Sequence, residues 1–186
     1  MSTASFTALV RAVVSNSVAN DWDTARAEWD VTAVDEDPRS DGICVCGQLG
    51  LATLYTITNR RNGAALYPIG STCVNQFART ELNTQVATLS GLLKLREAIS
   101  AGRRIELTSE FFTRAMLEYL YDEGAFTADD YNKGKTERDL EFLLDMFNKR
   151  NKDNITARQK KMIRGLLWYK VRPFILAHDK LGTAQP

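Results

Sequence analysis

Hydrophobic residues near the start of the chain recur at intervals of three and four positions: Phe6, Leu9, Val10, Val13 and Val14. This spacing predicts an amphipathic N-terminal helix, and a second short helix is predicted to begin at Asp21. Residues 29–34 alternate in a strand-like way, which predicts a first β-strand. The polar residues 35–42, which include Pro38, predict a loop after that strand.

The middle of the chain has the pattern of a β-hairpin followed by a helix. Residues 51–58 are rich in β-branched and aromatic side chains, and residues 64–69 follow as the partner strand. Asn62-Gly63 lies between the two strands and tolerates positive φ, which favours a tight turn. Ser71 or Thr72 is then predicted to cap a helix.

The remainder of the chain is predicted to be helical. The predicted limits are helix ends at Ser90, Gly102 and Gly124, helix caps at Thr108 and Thr156, and a stop or bend at Pro173. The pattern therefore predicts an α+β protein, in which a small antiparallel hairpin or three-stranded module is joined to a mostly helical C-terminal half. We expect either two lobes, residues 1–102 and 103–186, or one compact domain.

Composition places the chain among ordinary globular proteins. Its 186 residues are 44% hydrophobic and 25% charged, so it can form a core without a metal or a disulfide, and any metal site would act locally. Residues 1–14 do not resemble a secretory leader, and no apolar run approaches the ~18 residues of a membrane span. Three cysteines, two of them one residue apart, do not suit a disulfide framework, which favours a cytoplasmic location.

The net charge of +1 hides an uneven distribution. Residues 118–145 contain nine acidic and three basic side chains, whereas residues 148–173 contain nine basic side chains and one acid. A basic C-terminal segment of this kind is typical of surfaces that bind polyanions.

The cysteines predict a metal site. Cys44 and Cys46 lie in a predicted turn before the hairpin, and Cys73 lies in the first turn of the helix after it. Such a layout brings three sulfurs together, and thiolates are the preferred ligands of structural zinc. The helix dipole also favours a thiolate at Cys73. We therefore expect Zn²⁺ bound by Cys44, Cys46 and Cys73 in a structural role.

The fourth ligand is left open by the sequence. His178, the only histidine, is one candidate, and Asp37, Asp41 and water are the others. The simpler alternative is that the cysteines are small buried apolar residues without a metal, as free cysteines often are.

The order of cysteine turn, hairpin and helix-borne cysteine resembles the treble-clef zinc modules. The resemblance is partial, because the turn is C-x-C instead of C-x-x-C and the helix supplies one cysteine. The string ICVCGQLGLATLYTITNRRNGAALYPIGSTCVNQF also resembles uncharacterised bacterial, plasmid and phage proteins with C-x-C-G, I-x-N and G-S-x-C-[VI]-x-x-F motifs. That resemblance implies mobile-element biology and a retained cysteine cluster. Some of those proteins have histidine where this chain has Gln48.

The last predicted helix suggests a nucleic-acid-binding surface. The candidate phosphate contacts are Arg158, Lys160, Lys161 and Arg164 on this helix, together with Lys149 and Arg150 just before it. Trp168 or Tyr169 could stack on an unpaired base. The alternative is that these charges are solvated or pair with the acidic residues 118–145, and that the aromatic residues are part of the core.

Catalytic motifs are missing from the sequence. His178 is more typical of a structural or exposed histidine, and no P-loop, Rossmann pattern, nucleophile elbow or zinc-protease motif occurs. Asp129, Asp130, Asp139 and Glu141 could hold a divalent ion but are also ordinary capping residues. We therefore expect a non-catalytic zinc protein that contacts DNA or RNA. The alternatives are a protein-interaction factor, such as an inhibitor or adaptor of a host or phage protein, and a metal-dependent enzyme. No small-molecule substrate is evident.

Overall fold

A computed structural model describes residues 2–182. These residues form an α+β protein with one three-stranded antiparallel sheet, as the sequence predicted. The strands are β1 (Trp29–Glu36), β2 (Thr53–Asn59) and β3 (Ala65–Ile69). The helices are α1 (Thr3–Ser15), α2 (Trp22–Ala25), α3 (Ser71–Asn75), α4 (Thr80–Ser100), α5 (Arg114–Asp122), α6 (Glu137–Asn148), α7 (Ala157–Leu166) and α8 (Arg172–Ala177).

The chain divides into two compact units. The first contains residues up to Ser90 together with the chain end from Asp179, and the second contains Gly91–His178. The division falls inside α4, whereas the two-lobe alternative from the sequence divides the chain between residues 102 and 103. The hairpin, the cysteines and the N-terminal helices all belong to the first unit.

The sheet of the first unit has β2 at its centre, with β1 and β3 on either side. β1 pairs with β2 from Trp29 opposite Asn59 to Glu36 opposite Thr53, with a bulge between Val31 and Ala33. The end of the chain adds to the outer edge of β1, because Leu181 forms a parallel bridge with Val34. This contact covers a sheet edge that would otherwise expose unpaired backbone groups.

A buried carboxylate joins the N-terminal helices to the hairpin. Glu28 is 4% exposed and accepts hydrogen bonds from the backbone N–H groups of Val18 and Ala19 and from the Asn59 amide, and it pairs with Arg61. The Asn59 hydrogen bond is the main reason that the pKa of Glu28 lies below its ordinary value.

Several of the predicted helix starts and ends are wrong. The predicted end at Ser90 falls inside α4, which continues to Ser100. The helix predicted over 71–90 is two helices, because Ala78 adopts a left-handed φ of 51° between α3 and α4. Gly70 is the N-cap residue of α3, and Ser71 and Thr72 lie inside the helix. Thr113 caps α5 in place of Thr108, whose carbonyl accepts turn hydrogen bonds from Phe111 and Phe112.

The last predicted helix begins where the sequence predicted, but its form changes before Pro173. Thr156 caps α7 in a reciprocal capping box with Gln159, which confirms the predicted start. Pro173 does not end the helix, because the helical backbone continues through it from the preceding turn into α8. Between α7 and α8 the backbone widens into a π-helical turn over Leu167–Val171.

Candidate metal centre

Cys44 and Cys46 lie in a small closed loop between Gly42 and Leu51, which face each other in an antiparallel bridge. Inside the loop, the Cys44 N–H donates to the Gln48 carbonyl at 2.8 Å, and the Gly47 N–H donates to the Cys44 carbonyl at 2.7 Å. Gly47 has a φ of +82°, which glycine adopts without strain. The C-x-C-G sequence thus forms a tight turn, as predicted.

Two backbone contacts hold this turn against the end of β3 and the start of α3. The Val45 N–H donates to the Pro68 carbonyl at 2.9 Å, and the Gly70 N–H points at the Cys44 sulfur, 3.4 Å away. A Cβ at Gly70 would lie 2.9 Å from a methyl group of Leu51, so glycine allows the close approach. Cys73 follows in the first turn of α3 and faces the same point.

The three sulfurs meet at one buried position. Cys44, Cys46 and Cys73 are 3%, 5% and 3% exposed, and their Sγ atoms all lie within 4.8 Å of one another. The Cys44 and Cys73 sulfurs are 3.5 Å apart. Zinc–sulfur bonds of about 2.3 Å in a tetrahedron separate neighbouring sulfurs by about 3.8 Å. The cysteines are therefore positioned to bind a metal ion with small side-chain adjustments.

Contacts within the cluster shift the pKa values of Cys44 and Cys73 in opposite directions. The hydrogen bond with Cys73 lowers the pKa of Cys44, and the backbone N–H groups of Cys46 and Gly70 lower it further. The same contact with Cys44, followed by burial, raises the pKa of Cys73. A dication supplies the positive charge that lets all three sulfurs ionise, so metal binding would release protons.

No fourth cysteine, histidine or carboxylate joins this group among residues 2–182. The Asp37 carboxylate accepts hydrogen bonds from the backbone N–H groups of Arg39 and Asp41, and Asp41 also pairs with Arg39. His178 belongs to the second unit, where its Nε2 lies 3.0 Å from the hydroxyl of Tyr119 and its ring stacks beside Phe174. His178 as a zinc ligand stays a prediction.

The basic residues of α7 project into solvent. Arg158, Lys160, Lys161 and Arg164, here called the α7 basic face, are exposed, and none of them forms an ion pair with any residue between 2 and 182. Arg150 is exposed and Lys149 is half-buried, and neither has an acidic partner among the described residues. The sequence left open the alternative that these charges form ion pairs with the acidic residues 118–145. Such ion pairs do not neutralise the α7 basic face.

Exposed aromatic side chains continue the α7 basic face. Trp168 and Tyr169 lie in the π-helical turn and are 58% and 77% exposed, so they are not core residues. The Arg172 guanidinium lies 4.6 Å from the centre of the Trp168 ring, a cation–π contact. Basic and aromatic groups therefore occupy consecutive turns of the helix.

Lys170 differs from the other basic residues of this segment because its ammonium group forms ion pairs within the second unit. Its Nζ lies 2.6 Å from Asp139 and 2.7 Å from Asp129, and it also donates to the Thr127 carbonyl at 2.7 Å. Asn132 donates a further hydrogen bond to Asp139 at 2.9 Å. The Lys170 ammonium group thus lies between Asp129 and Asp139, two of the acids that the sequence suggested as ligands of a divalent ion.

A cavity of about 580 Å³ lies in the second unit beside the end of α4 and the start of α5. Its charged lining includes Arg103 and Glu110, which pair with each other, and Arg103 also covers the Phe111 ring. No group of metal-ligating side chains lines it among the described residues.

Comparisons of the chain with protein-family models, with curated proteins and with solved structures find no match. No helix within residues 2–182 combines the length and apolar character needed to cross a membrane.

Proposed function

We propose that this chain is a non-catalytic zinc protein in which the ion joins the cysteine turn to the start of α3. The observation that carries the proposal is the convergence of three buried sulfurs from Cys44, Cys46 and Cys73. Soft thiolate ligands select zinc or copper(I) over magnesium and calcium, and zinc has the tetrahedral preference that this spacing suits.

A structural role follows from what the ion would connect. Cys73 is 27 residues after Cys46, and the hairpin lies between them. Bonds from one ion to the turn and to α3 would hold both ends of the hairpin in place. Because the first unit has its own apolar core, including Trp29, Ile57 and Phe77, loss of zinc should loosen this module without unfolding the whole chain.

Elemental analysis of protein purified without chelator tests this role. We expect one equivalent of zinc in the wild type, and loss of zinc with a lower melting temperature in Cys44→Ser and Cys73→Ser. Ala25→Ser is a matched control, because it also adds a buried hydroxyl to the first unit but should leave zinc bound. A metal-free wild type that is as stable as a Cys44→Ala variant would show that the cysteines are ordinary buried apolar residues.

The α7 basic face supports a second part of the proposal, which is contact with nucleic acid. Four exposed basic side chains without acidic partners can neutralise about four phosphates, so log K should fall with log salt at a slope of roughly −3 to −4 on duplex DNA. Trp168 and Tyr169 offer stacking surfaces that suit unpaired bases. The mobile-element role implied by the sequence resemblance remains part of the proposal.

Salt-dependent binding to single- and double-stranded DNA and to RNA tests this part. Changing Arg158, Lys160, Lys161 and Arg164 to glutamate should abolish binding at low ionic strength. In a control variant, four exposed basic residues elsewhere are changed to glutamate, which gives the same net change of charge: Arg11, Lys94, Lys133 and Lys135. If both variants weaken binding equally, the α7 basic face is not a specific surface.

Two other functions predict different outcomes. A protein-interaction factor predicts no nucleic-acid binding by the wild type even at low ionic strength. A metal-dependent enzyme predicts a general base close to the ion, which the residues around the cysteines do not supply, because the cavity beside them has no carboxylate or imidazole in its lining.

A further inference from the structure

A cavity of about 200 Å³ opens beside two of the three cysteines. Cys44 and Cys73 form part of its wall, and Gln48, Ser71 and Thr72 give it an exposed polar rim. Because a water molecule takes about 30 Å³ of liquid volume, the cavity has room for a ligand larger than one water.

The cysteines fill three of the four positions that zinc prefers, and no fourth Cys, His, Asp or Glu of residues 2–182 joins them. We propose that the fourth position faces this cavity and binds a small neutral nitrogen donor of the imidazole class in exchange with water. This inference rests on the zinc site proposed above and specifies the ligand class of that same site.

Charge favours a neutral ligand over an anionic one. Three thiolates and one Zn²⁺ carry a net charge of −1, and the cavity lining contains neither a lysine nor an arginine to offset a further negative charge. An anionic fourth ligand would add repulsion in a partly desolvated site, whereas a neutral nitrogen donor would not. The Gln48 amide and the hydroxyls of Ser71 and Thr72 can hydrogen-bond to such a ligand at the rim.

The residues that line the cavity also suit a ligand-binding site better than a hydrolytic one. A zinc hydrolase needs a base that takes a proton from the water it activates, and the cavity wall offers hydroxyl, amide and apolar groups instead. The open position therefore suits reversible ligand binding.

Cobalt substitution of the full-length protein tests the proposal. The Co²⁺-loaded wild type should show thiolate-to-cobalt charge-transfer bands, and added imidazole should shift its d–d bands saturably while cobalt stays with the protein during gel filtration. Azide, an anion, should cause no shift. Ser71→Phe should retain cobalt and lose the imidazole response, because the ring would fill the cavity. Asn75→Phe is the matched control, since this exposed α3 residue does not line the cavity, and it should respond as the wild type does.

Each contrary result has a distinct meaning. Failure to bind cobalt would refute the zinc site itself and this inference with it. Cobalt binding without an imidazole shift, or loss of cobalt into imidazole, would overturn only the open position. An equal response to azide would overturn the selection by charge.

Discussion

Replacement of Lys170 by methionine tests how strongly the buried ion network holds the second unit together. Methionine keeps most of the length of the side chain and removes the ammonium group. The Lys170 side chain is 9% exposed, and the Asp139 side chain that it contacts at 2.6 Å is 2% exposed. The variant therefore leaves a buried carboxylate without its cation.

The expected cost follows from these contacts. Removal of one partner of a buried ion pair costs about 3–5 kcal/mol. Asn132 continues to donate a hydrogen bond to Asp139, and Asp129 is 32% exposed and can be solvated, so we expect the lower end, about 3 kcal/mol. At roughly 2–4 °C per kcal/mol for a chain of this size, the melting temperature should fall by about 6–12 °C.

Thermal unfolding followed by circular dichroism at pH 7 measures the effect. The double variant Lys170→Met, Asp139→Asn should recover part of the loss, because a neutral amide no longer leaves a charge buried. Lys135→Met, at an exposed lysine without an acidic partner among the described residues, should change stability by less than about 0.5 kcal/mol. Nucleic-acid binding by Lys170→Met should be normal, since Lys170 is not part of the α7 basic face.

Two results would refute this reasoning. If Lys170→Met melts within about 2 °C of the wild type, the network contributes less than ~1 kcal/mol. If the double variant is no more stable than the single one, the loss comes from altered packing and not from the unpaired carboxylate.

Three further predictions concern acid stability and glycine positions. The pKa values of Glu28 and Asp129 are held below 4.5 and 3.8 by their hydrogen bonds, chiefly from Asn59 and Lys170. Each carboxylate therefore contributes stability that is complete above its ordinary pKa, 4.5 for Glu28 and 3.8 for Asp129, and that is lost as the pH falls through the lowered pKa of the folded protein. Urea unfolding at a series of pH values measures this, and a loss of stability between pH 7 and pH 5 that disappears in Glu28→Gln and Asp129→Asn would contradict it. Gly42→Ala should reduce zinc content and melting temperature, because its Cβ would lie 2.8 Å from the Leu51 carbonyl oxygen. Gly165→Ala, whose Cβ would meet no atom within 4 Å, should stabilise α7 by about 0.5–1 kcal/mol in urea unfolding.

Local chemistry was sufficient to predict much of the first unit. The apolar stripe of α1, the turn at Asn62-Gly63 and the alternation of β1 are readable because helix, turn and strand propensities act over a few residues. The capping box of Thr156 and Gln159 is local in the same way. The approach of Cys73 to the C-x-C turn was also predictable, because a hairpin returns the chain close to its own start.

Other features could not be predicted from the local pattern. The break at Ala78, the cap at Thr113 and the course of the helix past Pro173 were not predicted, because several residues nearby carry competing local signals of similar strength. Lys170 belonged to the basic segment in the sequence, and only its Nζ position between Asp129 and Asp139 shows that it is a structural residue.

The sequence by itself determined which residues could bind a metal or a polyanion, since ligand type, spacing and charge are properties of the chain. The tertiary structure decided which of these residues lie close enough together, or exposed enough, to bind such a ligand. It buried three sulfurs beside a cavity with no fourth Cys, His, Asp or Glu from residues 2–182, and it left the α7 basic face without acidic partners there. The physical reason is that burial and charge pairing depend on which distant segments meet in space, and local patterns do not encode those meetings.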